Sequence, residues 1–206
     1  YTPIVSDNEL MALSFGLFDD SFMPAHHEIK QGDGYNERCW NSIGQNTRWL
    51  HGVCGGEVSY YESFDQRNFL NPEGMYGYTW EESAKKYHIS FMISNDAPGG
   101  IYGTVERFAE AGMATGYRFR VTKCATNGKE TRLCVTNEGV APIYRDAYFA
   151  IGEQQSTNSL KGLLPQQSLY VTIPAPLTDT EELYITSPHI LPTQEIQFVA
   201  YDEDNK

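Results

Sequence analysis

Positive charge is scarce in this 206-residue chain: 15 Lys and Arg stand against 27 Asp and Glu, a formal net charge of −12 at pH 7. A protein that tracks a phosphate backbone carries the opposite balance, which argues against general nucleic-acid binding. Long apolar runs are missing, so no membrane-spanning helix is expected. Cysteine is sparse: Cys39, Cys54, Cys124 and Cys134 form no zinc-type CxxC pair. Neither a glycine-rich phosphate loop nor a dinucleotide fingerprint is present, and there is no nucleophile elbow, so no cofactor is expected. No signal peptide is visible and the first residue is not Met, from which a processed or excised piece of a longer product is expected.

Aromatic residues are plentiful at 13%, with 14 Tyr, and hydrophobic residues reach 40%. This is a globular composition with enough material for an independent core. Acidity combined with aromatics suits neutral or cationic ligands. Sugars fit well, because their CH faces stack on aromatic rings while their hydroxyls bond to carboxylates.

The pattern changes near residue 115. Before it, strand-like runs alternate with helix-like stretches: Ala12 to Phe18 and Trp49 to Cys54 as strands, Tyr35 to Asn46 as a helix, and His88 to Ile93 as a buried apolar run. Thr79 and Glu82 match a capping box, and Thr104 is placed to cap a helix running to Met113. After it, about seven strand-length runs are separated by turn residues and prolines, as in an immunoglobulin-like sandwich. The expected fold class is α+β: a partial (β/α) barrel-like layer over 1–115, then an antiparallel β-sandwich over 116–206. The first region supplies about three βα units, too few for a complete barrel. Either it is an open layer, or the missing strands lie on an absent N-terminal segment.

Two short apolar runs end in carboxylates, Leu17-Phe18-Asp19-Asp20 and Val53-Cys54-Gly55-Gly56-Glu57. In α/β barrels the carboxyl ends of the strands carry the chemistry. Glu57 and Asp20 are the candidate catalytic pair. Adjacent residues of an extended chain point to opposite faces, so Asp19 cannot share a cleft with both; it is kept as a ligand-binding candidate. The bland alternatives are turn contacts for the two aspartates and an ion pair of Glu57 with Arg38 or Arg48. Tyr78 and Trp80, beside Tyr76, could form a sugar platform at the rim or could pack between layers. Asn95 and Asp96, where a strand gives way to a glycine-rich loop, are further binding candidates. His26 and His27, with Glu28 and Asp33, fit no standard metal spacing, so no metal is expected. Cys124 and Cys134 fall on one polar face of a hairpin and would pair if they lay opposite each other.

These motifs carry a family resemblance. Gly16-Leu17-Phe18-Asp19-Asp20-Ser21-Phe22 resembles the G-x-x-D-D-x-F signature of the bacterial Domain of Unknown Function family 4832. Gly55-Gly56-Glu57 is similar to its G-G-E element, His88 to Asn95 to its H-x-S-x-x-x-x-N segment, Gly116-Tyr117-Arg118 to its G-Y-R start of the β-rich part, and Asn137 to Pro142 to its N-x-G-x-A-P turn. The resemblance implies a secreted, periplasmic or cell-surface protein. It also implies a glycoside-hydrolase-like barrel whose N-terminal half precedes this region, with carbohydrate as the partner. The alternative is a non-catalytic glycan-binding or structural surface module.

Overall fold

The computed structural model describes residues 15–94 and 101–200. Ten strands among them form three sheets, joined by a few short helices, a mixed α/β architecture that is mostly β. The chain divides into two compact units, Tyr1–Gly116 and Tyr117–Lys206.

The first unit holds three parallel strands in chain order, β1 (Leu17–Phe22), β2 (Cys54–Val58) and β3 (Ile89–Ile93). Between β1 and β2 run α1 (Tyr35–Ser42) and the four-residue α2 (Gln45–Arg48); between β2 and β3 run α3 (Ser63–Asn68) and α4 (Trp80–Lys86); α5 (Val105–Met113) follows β3. The expected single helix from Tyr35 to Asn46 is broken at Gly44, whose φ of 87° only glycine adopts without strain. The Thr79 and Glu82 capping box forms in full, and Thr104 accepts from the Arg107 N–H. Trp40, Ala84 and Tyr87 share one apolar cluster with the inward residues Leu17, Cys54 and Ile89. At its centre Phe22 sits edge-on to Tyr87 and Trp80, with ring centroids 5.7 and 6.2 Å away. The helices thus pad one face of the sheet.

Both carboxylate-bearing strands run later in the sequence than expected. β1 starts at Leu17 and continues through both aspartates, and β2 starts at Cys54 instead of ending there. Asp19 and Asp20 are therefore interior to a strand, and Glu57 is the next-to-last residue of one. The run from His88 to Ile93 is not buried throughout, since Phe91 and Ile93 are exposed.

The second unit holds a four-stranded and a three-stranded sheet. β4 (Phe119–Thr126), β5 (Thr131–Asn137), β8 (Ser168–Ile173) and β10 (Phe198–Ala200) make the first in the order β10-β4-β5-β8. β6 (Tyr148–Ile151), β7 (Gln154–Gln155) and β9 (Leu183–Thr186) make the second in the order β7-β6-β9. Alternate residues of both sheets (Val121, Leu133, Val135, Phe149, Ile151, Val171, Ile185) meet in one apolar cluster. Asn137 is fully buried beside it. Its Nδ2 donates to the carbonyls of Ala141 and Leu163, both at 2.9 Å, and its Oδ1 accepts the N–H groups of Gly139 and Arg118 at 2.9 and 3.1 Å. The N-x-G-x-A-P turn is thus held by its own asparagine.

The expected pairing of Cys124 with Cys134 is overturned by a bulge. The register passes from Val121↔Val135 to Lys123↔Cys134, so Thr122 is the extra residue. Cys124 then opposes Leu133, while Cys134 opposes Lys123, so the two cysteines do not face each other. All four thiols are free.

Candidate functional site

The face of the first sheet that carries no helix among the described residues has an ordered side-chain layout. Register pairs Phe18 with Gly55 and Gly55 with Phe91. Further along, Glu57 on β2 pairs with Ile93, while on β1 the register with β2 shifts between Asp19 and Phe22, so exposed Asp20 lies within a bulge and has no register partner on β2. The result is one row of three, Phe18, Gly55 and Phe91, followed by the pair Glu57 and Ile93, with exposed Asp20 two residues on from Phe18 in the bulge of β1. Phe18 is 56% exposed and Phe91 37%, and their ring centroids lie 6.3 Å apart across Gly55. A side chain at position 55 is excluded because its Cβ would run into the Phe91 carbonyl and into the ring at 2.7 Å. Glycine here keeps the gap between the two rings open.

Neither carboxylate is tied down. Asp20 is exposed, Glu57 is half-buried, and neither makes an ion pair or a side-chain hydrogen bond among the described residues. The two arginines considered for Glu57 are engaged elsewhere. Arg38 donates to the Asp33 carbonyl at 2.5 Å, and fully buried Arg48 packs over the Phe15 ring at 4.7 Å. Immediately beyond the carboxyl end of β2 come exposed Tyr60 and Tyr61, their rings 5.5 Å apart.

The opposite face buries a polar cluster. Asp19 accepts both a Ser21 N–H at 2.9 Å and the Asn36 side-chain amide at 3.0 and 2.9 Å, pinning α1 to β1. Burial raises the proton affinity of Asp19, and these hydrogen bonds partly oppose it. His27, 3.9 Å from Asp19, is not its ion-pair partner. Burial, reinforced by the Lys86 ammonium, holds His27 down to about 3, so it is neutral, and its Nδ1 accepts the Met23 N–H at 3.1 Å. Glu28 is buried against Lys30 and Lys86 at 3.2 and 3.4 Å. No group of three His, Cys, Asp or Glu side chains suited to a metal occurs among the described residues.

The structure therefore separates the sequence-derived candidates. Asp20 is exposed and Glu57 half-buried, on neighbouring strands whose register shifts at Asp20. Asp19 is buried behind it with its oxygens occupied, which corrects its assignment as a ligand contact. Tyr78 and Trp80 are core residues, 2% and 3% exposed, and do not form a rim. The Tyr78 hydroxyl donates to the Pro24 carbonyl at 3.2 Å and the Trp80 indole to the Ala111 carbonyl at 2.9 Å. Asn95 and Asp96 lie outside the described residues. The exposed aromatics of this unit are instead Phe15, Phe18, Tyr35, Phe64, Phe91, Tyr60 and Tyr61. The available signal for the last two was a tyrosine doublet directly after a strand carrying a candidate carboxylate. Compared with protein-family models, curated proteins and solved structures, the chain gives no match.

Proposed function

We propose that the first unit is a sector of a (β/α) barrel and that its helix-free face is the wall of a carbohydrate site, with Asp20 and Glu57 as the reacting pair. The observation that carries this reading is the Phe18–Gly55–Phe91 row, an open aromatic platform, with the carboxylates of Glu57 and Asp20 further along the same two strands and without an ion pair among the described residues. Phe18 and Phe91 receive the CH face of a sugar ring, and the carboxylates meet its hydroxyls. Three parallel strands in chain order, padded by helices on one side, are what a barrel sector looks like. Parallel strands are ordinarily covered on both faces, so further strands preceding β1 complete the wall. The second unit then is an immunoglobulin-like sandwich, and the resemblance to Domain of Unknown Function family 4832 supplies the expectation of a secreted or surface location.

Neighbouring strands lie about 4.8 Å apart. Carboxyls on adjacent strands of one face suit the separation of about 5–5.5 Å found in retaining glycosidases better than the about 6.5–9.5 Å of inverting ones. Asp20 attacks the anomeric carbon while Glu57, the more shielded of the two, protonates the leaving oxygen; Glu57 then takes a proton from the water that releases the sugar. A second reading, non-catalytic glycan binding, is favoured by the platform itself, which needs no reacting pair.

The test uses fluorogenic aryl glycosides and an array of neutral oligosaccharides. Turnover that falls about 100-fold or more in Glu57→Gln and in Asp20→Asn, with melting unchanged, supports the catalytic reading. Binding without turnover, weakened by Phe18→Ala but kept by Glu57→Gln, supports the binding reading. Wild-type protein that neither binds nor cleaves any glycan leaves a structural module.

A further inference from the structure

The second unit has an opening of its own. A groove of about 710 Å³ runs between β9 and the segment that leads into β10. One wall is β9, an outermost strand of the three-stranded sheet; the other is the segment 190–198, which runs into β10, an outermost strand of the four-stranded one. Buried Ile185 and Ile196, with partly buried Ile190 and Phe198, give it an apolar floor continuous with the core of the unit. The volume is in the range of pockets that take small ligands or a few inserted side chains.

The backbone of β9 adds a second feature. The Phe149 carbonyl accepts the Ser156 N–H at 2.7 Å, on the β7 side of β6. Backbone polar groups alternate sides along a strand, so Tyr148 and Ala150 face β9 and bond their partners Thr186 and Tyr184. Leu183 and Ile185 therefore turn their N–H and C=O groups outward, into the groove. Among the described residues these groups meet no backbone partner. Unpaired edge groups beside an apolar slot are the template for strand addition.

Charge selects the occupant. Glu182 and Glu195 are the charged residues lining the groove, and Asp179 and Glu181 lie just upstream of β9. A second copy docking β9 against β9 would bring like charges together, which is destabilising. The chain's own C-terminal residues include Asp202, Glu203 and Asp204, of the same sign. We propose that this groove binds an extended peptide of a partner protein, which adds as a strand to β9, inserts β-branched or other apolar side chains over Ile185 and Ile196, and pairs flanking Lys or Arg with Glu182 and Glu195.

The probe is a labelled nine-residue peptide of alternating Lys and Val, titrated by fluorescence anisotropy against the whole chain. Controls are the same peptide with Glu for Lys, and a Lys–Gly peptide of equal charge. Amide exchange is followed by NMR. The Lys–Val peptide is expected to bind at least tenfold more tightly than either control. It should slow exchange at Leu183 and Ile185 and lose at least tenfold in affinity to the double variant Glu182→Lys, Glu195→Lys, whose exposed positions leave folding intact. Leu183→Pro removes one outward N–H without touching the β6 ladder and should weaken binding in the same way. Equal binding of the Lys–Gly control would mean attraction to the acidic surface alone and would overturn the proposal. So would protection absent from Leu183 and Ile185, an unaffected double variant, or a concentration-dependent dimer that protects the same amides with no peptide present.

Discussion

Removing the side-chain amide of Asn137 tests how the second unit is held. Four hydrogen bonds converge on this buried residue, two donated to carbonyls and two accepted from N–H groups. A neutral hydrogen bond contributes about 1 kcal/mol net, and a buried group left without a partner costs about 1–3 kcal/mol more. Asn137→Ala is therefore expected to cost about 4–6 kcal/mol, a large part of the roughly 5–15 kcal/mol that holds a typical domain together. Melting of the second unit should drop by on the order of 20 °C, read by calorimetry as one transition moving while the other stays. Asn137→Asp sharpens the test. The carboxylate still accepts from Gly139 and Arg118, but its other oxygen faces two carbonyls, so burial and repulsion raise its folded pKa above the unfolded value. The stability of that variant is then fully present below the unfolded Asp pKa of about 3.9 and is lost as pH rises through the raised folded pKa. An alanine variant within about 1 kcal/mol of wild type, or an aspartate variant as stable at pH 7 as at pH 4, would refute the reasoning.

His27 is neutral in the fold, held down to about 3 from 6.5 by burial. Its contribution is complete above the unfolded value and is lost as pH falls from there toward 3, at up to about 1.4 kcal/mol per pH unit. Urea melts between pH 7 and 4.5 should show a shallower acid slope in His27→Gln than in wild type. Gly55→Ala drives a methyl into the Phe91 backbone and ring; we expect a loss of about 1–3 kcal/mol, with the Phe91→Ala background recovering only part of it because the carbonyl also clashes. Thiol labelling without reductant should count four free cysteines. Exposed Cys124 should react first and Cys54 last, since Cys54 is buried and its thiol is pushed up to about 11.

Local chemistry was legible where a few neighbouring residues settle it. The Thr79–Glu82 box and the Thr104 cap need only their own turn, and strict alternation marks Leu133 and Val135 as inward. The change of pattern near residue 115 lies beside the boundary between Gly116 and Tyr117 that separates the units. Strand limits were not legible in the same way. Asp19 reads as a polar stop, yet it stays inside β1 because Asn36, 17 residues away, supplies its hydrogen bonds. Trp49 reads as strand, but it stacks on His88 at 3.6 Å instead. The bulge at Thr122 is invisible to alternation and takes the two cysteines out of opposition. Aromatic identity alone did not separate Tyr78 and Trp80, which find core hydrogen-bond acceptors, from Phe18 and Phe91, which stand exposed on the other face of the sheet.

β10 runs parallel to β4, pairing Phe198 to Ala200 with Phe119 to Val121. The first strand of the second unit and its last described strand are thus parallel neighbours. Tension applied through the flanking segments pulls the two strands in opposite directions along their length. All the rungs between them are loaded together in shear, instead of being peeled apart one at a time. Rupture under load is governed by the unfolding rate and not by equilibrium stability. A three-residue pairing that adds little to a melting curve therefore sets the force at which the second unit opens, and a proline at Val199 should lower that force far more than it lowers the melting temperature.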